Sequence, residues 1–458
     1  MINLFEYQNK EELNHSFEEL EIFLDEIWNN REKSGYYYDE EESRSETQQF
    51  LQFLQKNREI KSNKYVGVIH FEDKRINLLP KIFYDPGRAY QENDVYAIHN
   101  HVLWWLSYCR KIKFPSYNTP LDSTRSDFFE VLIYLFSKYT RELLSNAIYQ
   151  QYREVERELP HVKGRINMNK YINENLSRAR WHKLNCVYDP FVLDNEFNRI
   201  IKHVSKMLSG VTVNPDSKKY LRQILFILDD VSDTKASARK CASIQFNPAL
   251  SDFETVRDYC VLFLDNSISF NYKNDLKLFA FLLPMEYVFE DFIYGFIEKE
   301  VDGIKAVSQS SSRYLDQDET FSLRPDLILQ STEKKIIADT KYKMVYKNPD
   351  DPKKGISQSD LYQVLAYAVR HKIEDIALLY PDTIDNYQND ASGFTIRDEF
   401  ADQVDVRVTA YQLPVINREL FNAGAFKGKN LSQLFERTRI QLKERIREVL
   451  FNSADVDV

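Results

Sequence analysis

Between residues 323 and 343 the chain reads LRPDLILQSTEKKIIADTKYK, and this stretch holds the residues best suited to chemistry. Asp326 opens the apolar run Leu327, Ile328, Leu329. A polar STEKK turn follows, and Ile336, Ile337 and Ala338 then lead into Asp339, Thr340 and Lys341. Two short apolar runs around a turn predict adjacent strands, each bearing one carboxylate. Side chains alternate along a strand, so Asp339 and Lys341 should share one side while Thr340 points away. Hard carboxylate oxygens of this kind suit Mg²⁺, with Mn²⁺ as a substitute, beside a scissile phosphate. Lys341 would then orient the attacking water and meet the charge that builds on the phosphate. Upstream, Glu286 and Glu290 lie one turn apart on a helix expected over 284–299, and one of them could complete the metal shell. Downstream, SQSDLYQVLAYAVRHK has a capping-box start at Ser357 and Asp360, and it places Gln363 and Tyr367 on one helix face. That pair could contact the substrate backbone or position Lys341.

Those elements need a folded frame, and the composition supplies one. The chain has 458 residues, 43% hydrophobic and 29% charged, enough for two or three domains with buried cores. With 11 glycines and 14 prolines against 29 tyrosines and 30 phenylalanines, regular aromatic-packed structure is expected over most of the length. There is no GxxxxGK[ST] loop and no GxGxxG turn to cradle a nucleotide phosphate. The four cysteines, Cys109, Cys186, Cys241 and Cys260, form no CxxC pair, which speaks against a zinc site and a disulfide framework. No run of 18 apolar residues occurs and the start is acidic, so no membrane and a cytoplasmic location are expected.

The net charge of −9 is unevenly spread: residues 1–50 carry 14 acids and 4 bases, leaving the remainder near neutrality. Residues 1–60 read as helix from Leu20, Phe23, Leu24 and Ile27, with Phe50, Leu51 and Leu54 beyond. This suggests an acidic helical extension, a solvated element or a contact for a partner. KYVGVIHFEDKRINLLPKIFY at 64–84 predicts a hairpin whose second strand ends near Pro80. Helices follow at NDVYAIHNHVLWWLSYCRKIKFP, closed by Pro115, and at STRSDFFEVLIYLFSKYTRELLSNAIYQQY, opened by a serine or aspartate cap. His99 and His101 face different directions on the first, so they are not expected to chelate one ion. Trp104 and Trp105 are expected in the core. Residues 152–250 mix strands and helices. The lysines between 334 and 354 and the basic run from Arg437 to Arg447 are by themselves only solvated faces.

An acidic helix, PD on one strand, DTK on the next and a capped helix with QxxxY together resemble the PD-(D/E)XK nuclease superfamily. The ordered fragments INLLPKI at 76–82, HVKGRINM at 161–168, DNEFNRIIK at 194–202 and MEYVFEDFI at 285–293, with LRPDLIL, IIADTKYK and SDLYQVLAYA, resemble McrC. McrC is the nuclease subunit of McrBC modification-dependent restriction systems. The resemblance implies an α+β / α/β multidomain chain. It would comprise an acidic helical extension at 1–63, a helical and β-containing partner-binding domain at 64–270, and a PD-(D/E)XK restriction-endonuclease-like α/β core at 271–458. It implies a Mg²⁺-dependent endonuclease against foreign DNA, activated by an AAA+ McrB-like GTPase hexamer whose hydrolysis it stimulates. Methylated or otherwise modified DNA is the implied substrate. Asp326, Asp339 and Lys341 carry over as catalytic residues, supported by Gln363 and Tyr367, with Glu290 preferred over Glu286 beside Asp326 and Asp339 as metal ligand. Two other readings are an autonomous repair or recombination nuclease and a non-catalytic adaptor that activates an NTPase.

Overall fold

The structure is a computed structural model that describes residues 2–13, 17–30, 50–71, 74–110, 128–271, 277–308, 313–316, 318–331, 334–345, 353, 356–387, 392–397, 405–422 and 429–451. It is a mixed α/β protein with several separate sheets. Its contacts divide the chain into two compact units, one made of residues 1–131 and 265–458, the other of Leu132–Leu264. This redraws the expected boundaries: residues 64–131 join the C-terminal part, and the break falls near 264 instead of 270.

The expected helical extension is also corrected. Only Phe17–Asn30 is helical; Ile2–Phe5, Lys10–Glu12, Leu51–Leu54 and Glu59–Ser62 are strands, and 31–49 lie outside the described residues. Ile2–Phe5 runs parallel to Lys74–Leu79, with Leu4 opposite Leu78. Leu4, Leu13, Phe17, Leu20 and Leu24 are buried in one core with Ile69, Ile76 and Leu282. A segment whose apolar side chains are sealed against remote strands is part of the domain, whatever its net charge.

The hairpin expected at 64–84 forms from Tyr65–Phe71 and Lys74–Leu79. Lys277–Pro284 pairs antiparallel with Tyr65–Phe71 on the other side, so the five-stranded sheet draws on chain segments about 200 residues apart. Pro284 closes that strand and caps the helix Met285–Glu300. This helix packs on Glu92–Tyr108, where Trp104 lies 5.2 Å from Phe292 and stacks on Phe435 at 4.6 Å. Trp104 and Trp105 are thus core, and residues 111–127, with Pro115 and the expected cap, lie outside the described residues. His101 Nδ1 donates to Ala97 O and Nε2 accepts from Asn417 N, and burial pushes its pKa down to about 3. It is a neutral structural group.

The second sheet of this unit carries the candidate site. Its strand order is Lys305–Ser308, Leu327–Gln330, Lys335–Thr340, Asp375–Pro381, Asp405–Leu413 and Ser392–Arg397. The pairs Lys335–Thr340 with Asp375–Pro381 and Asp375–Pro381 with Asp405–Leu413 are parallel. Gln358–His371 makes the crossover between the first parallel pair, as a βαβ unit requires. The basic helix Glu436–Phe451 spends its charges inside the unit: Arg439 pairs with Glu300, Lys443 with Asp302 and Arg445 with Glu448.

The other unit, Leu132–Leu264, holds a three-stranded antiparallel sheet, Val155–Leu159, Leu184–Tyr188 and Arg165–Ile166. Its helices start at asparagine caps: Asn195 for Glu196–Val211 and Asn214 for Pro215–Ile227. Phe197 gathers Tyr149, Phe246 and Phe253 around it. All four cysteines of the chain are buried and none is in a disulfide. Among the described residues no helix is long and apolar enough to cross a membrane.

One close approach fixes the helix that bears Glu286 and Glu290. A Cβ on Gly295 would lie 1.9 Å from Tyr108 O, a backbone atom that cannot swing aside. Gly295→Ala is therefore expected to cost about 1–3 kcal/mol of stability, read as a lower urea midpoint with an unchanged m-value.

Candidate active site

The hairpin register pairs Leu327 with Ala338, which brings Asp326 and Asp339 to neighbouring strand ends. Around them Ile328, Ile337, Val364, Tyr367 and Leu378 form an apolar cluster. Asp339 is completely buried. Burial pushes its pKa up to about 7; the Asp326 charge adds to the rise, and Lys341 opposes it. Asp326 is raised too, through burial, against hydrogen bonds from Thr340 and the charge of Lys341. Two carboxylates in a dry corner cannot both ionise freely without a countercharge.

Lys341 supplies that charge. Its Nζ lies 2.6 Å from Asp339 Oδ2 and donates to Gln363 Oε1 at 3.0 Å, while Gln363 Nε2 reaches Tyr367 OH at 2.9 Å. Burial works against the ammonium, yet Asp339, Asp326 and Asp360 outweigh it and its pKa is raised. Lys341 is thus a fixed cation and not a proton acceptor. Its backbone N–H donates to Leu379 O at 2.8 Å, which ties the residue after the strand to the neighbouring strand.

Glu290 and Glu286 part company. The charge of Glu290 acts on Tyr367, whose pKa is raised chiefly by burial and then by Asp339, Asp326 and Glu290. Glu286, exposed, acts instead on Glu6 and Tyr342. The structure therefore brings together Asp326, Asp339, Lys341, Gln363 and Tyr367 and sets Glu290 near them.

Three features depart from the expectation. Thr340 does not leave the site: its N–H and its hydroxyl both donate to Asp326 Oδ2 at 2.8 Å. Thr340 still pairs with Leu379 in the ladder, and it reaches Asp326 because that carboxylate precedes the partner strand Leu327–Gln330. Next, Asp360 sits at the third position of the Gln358–His371 helix; Ser357 Oγ accepts from its N–H, but its carboxylate accepts both bonds of Lys343 Nζ, at 2.8 and 2.9 Å. Sequence reasoning read Asp360 as half of a capping box and passed over Lys343, although its spacing from Lys341 matches that of Lys341 from Asp339. Finally, among the described residues no three His, Cys, Asp or Glu side chains converge to hold a metal, so Asp326, Asp339 and Glu290 do not form a closed shell. Thr340 occupies Asp326 Oδ2 and Lys341 lies against Asp339 Oδ2, which accounts for the opening.

The donor set nonetheless fits a hard divalent cation. Asp339 Oδ1 is buried and accepts no hydrogen bond from the described residues. One or two carboxylates, with water and phosphate oxygens, are what Mg²⁺ ordinarily takes.

The raised pKa of Asp339 has a sign. Between about 4 and 7 the unfolded chain gives up this proton while the folded protein keeps it, so stability falls as pH rises through that window. The urea midpoint of the metal-free protein should fall more steeply over this range than that of Asp339→Asn. Glu6 and Asp382, also pushed up to about 7 by burial, contribute equally to both proteins and cancel in the comparison. Equal slopes would mean that Asp339 titrates normally.

With the geometry in place, comparison with known proteins is informative. The chain matches the family described as McrBC 5-methylcytosine restriction system component over residues 60–381. No curated protein matches it. Among solved structures it resembles a chain of the refined half-complex from a tetradecameric assembly of Thermococcus gammatolerans McrB AAA+ hexamers with bound McrC. That likeness has a TM-score of 0.64 at 15% identity and covers 98% of this chain and 99% of that one. A chain of the Thermococcus gammatolerans McrBC complex gives a TM-score of 0.48 at 18% identity, covering 65% of this chain and 87% of that one. The 15% likeness speaks for the fold alone, but the family match spans well over half of the sequence, and the chain belongs to the McrBC 5-methylcytosine restriction system component family.

Proposed function

We propose that this chain is the Mg²⁺-dependent endonuclease subunit of a McrBC-like restriction complex, hydrolysing phosphodiester bonds in foreign DNA. The observation that carries the reading is the dry junction of Asp326, Asp339 and Lys341 at two strand ends, with Gln363 and Tyr367 behind the lysine. In that reading the sheet containing 327–340 is a PD-(D/E)XK core. Asp326 and Asp339, with Glu290, would hold Mg²⁺, which would supply polarisation of the phosphoryl oxygen and a lowered pKa for a water.

The chain's own residues do the rest. Lys341 is held as a cation against Asp339 Oδ2, and with a divalent ion at the carboxylates its ammonium would be available to meet charge on the phosphate. Gln363 accepts from Lys341 and donates to Tyr367, which limits the directions the ammonium can take. Thr340 keeps Asp326 turned toward Asp339.

The chain lacks a phosphate loop, so nucleotide hydrolysis falls to a partner. An AAA+ GTPase hexamer of the McrB kind is that partner in our reading, and modified DNA is the substrate. Autonomous cleavage, or an adaptor that only activates the NTPase, are the outcomes that would displace it.

Plasmid cleavage with Mg²⁺ and GTP tests the reading, with and without a McrB-like AAA+ protein, on methylated and unmethylated DNA. Cleavage should need the partner and should vanish in Asp339→Ala. Lys341→Ala should lower kcat by about 10²-fold or more, and Lys341→Arg should restore little because the fork of arginine does not replace a compact ammonium. Cleavage without partner would favour the autonomous nuclease. GTPase stimulation without any cleavage would favour the adaptor.

A further inference from the structure

Glu6 follows directly on the first strand, Ile2–Phe5, and is 1% exposed. Its Oε2 accepts from the backbone N–H of Lys81 at 3.1 Å and from the hydroxyl of Tyr342 at 3.0 Å. Tyr342 is the residue after Lys341 and is itself 3% exposed. Its ring lies 5.7 Å from that of Phe289, which precedes Glu290, and the Lys81 ammonium stands 4.5 Å over its face. One phenol thus joins three things: the first strand through Glu6, the helix of Glu290 through Phe289, and the backbone of Lys341 by direct bonding.

A phenylalanine would fill the same apolar space without needing a hydrogen-bond partner. A buried carboxylate, by contrast, is costly to place unless its bonds are made. Both groups are present, and each satisfies the other. Lys341 leaves its strand at this point, past Thr340, where its backbone keeps one bond to Leu379 O and one from Lys343 N–H but no strand pair. The anchor for the following residue therefore decides how far Lys341 can wander.

We propose that Glu6 is a positioning residue for Lys341, acting through the hydroxyl of Tyr342. The inference rests on the nuclease reading above and extends it to a residue of the N-terminal strand. Glu6 touches no substrate; it holds the lysine's chain neighbour, and through Phe289 the same contact keeps the Glu290 helix in register with the site.

The test uses the full chain with its AAA+ partner, Mg²⁺, GTP and plasmid DNA, with Asp339→Ala as reference. Tyr342→Phe removes one buried oxygen and should leave the fold intact. It and Glu6→Ala should each lower kcat by about tenfold with KM for DNA little changed, since small misplacements of a reacting group cost rate more than binding. Glu6→Gln keeps an acceptor and should restore most of the rate. The double variant Glu6→Ala/Tyr342→Phe should be no slower than either single one, because the two act as a unit. Wild-type kcat in Tyr342→Phe, strictly multiplicative losses, or a fall in GTPase stimulation and melting temperature in step with cleavage would overturn the proposal. Wild-type protein whose cleavage does not depend on Asp339 would overturn the nuclease reading and this inference with it.

Discussion

Two carboxylates at the ends of adjacent strands, Asp339 fully buried and Asp326 half-buried, set the terms for the rest of this protein. Burial raises the pKa of both, the Asp326 charge adds to the rise at Asp339, and the neighbours answer that charge. Thr340 gives two donors to one carboxylate, and Lys341 sets an ammonium against the other. Gln363 and Tyr367 then hold the ammonium. In this arrangement the ammonium of Lys341 is the countercharge that Asp339 meets. The same tension means that the site detracts from stability and must be carried by the cores around it.

Those cores are built from distant pieces of chain. The 285–300 helix is fixed by the backbone contact of Gly295 with Tyr108 and by Trp104 against Phe292. The crossover helix 358–371 is fixed by its serine cap and by the Lys343–Asp360 pair. The acidic N-terminal stretch is not an appendage: Leu4 and Phe17 are wholly buried, and Glu6 reaches the residue next to Lys341.

Local patterns made much of the site legible. Apolar runs around a polar turn located the 327–340 hairpin, and helical spacing put Gln363 and Tyr367 on one face. Pro284 marked the entry to a helix. What escaped reading was non-local. Nothing in Ile2–Phe5 reveals a parallel partner at 74–79, because parallel pairing leaves no turn signature. The helical spacing of Leu20, Phe23, Leu24 and Ile27 marks a true helix at 17–30, but Leu51 and Leu54, read the same way, lie in a strand. Thr340 keeps its place in the ladder opposite Leu379, and it meets Asp326 because that carboxylate stands just ahead of the partner strand, a cross-strand contact that spacing within one strand does not give. The roles of Asp360 and Lys343 depend on a contact between a strand end and a helix start, which spacing alone does not give.

The order of the chain has a consequence for synthesis. The hairpin at 65–79 needs Lys277–Pro284 to complete its sheet, and Leu132–Leu264 must emerge from the ribosome in between. At about 5–20 residues per second, the edge of Tyr65–Phe71 stays unpaired for roughly ten seconds or more. Its row of free amides and carbonyls is during that time an open template for other strands. The inserted unit, with its own aromatic cluster around Phe197, can fold while that edge waits. For this protein, translation speed through the insertion and chaperone cover of one strand therefore bear directly on how much of it reaches the native state.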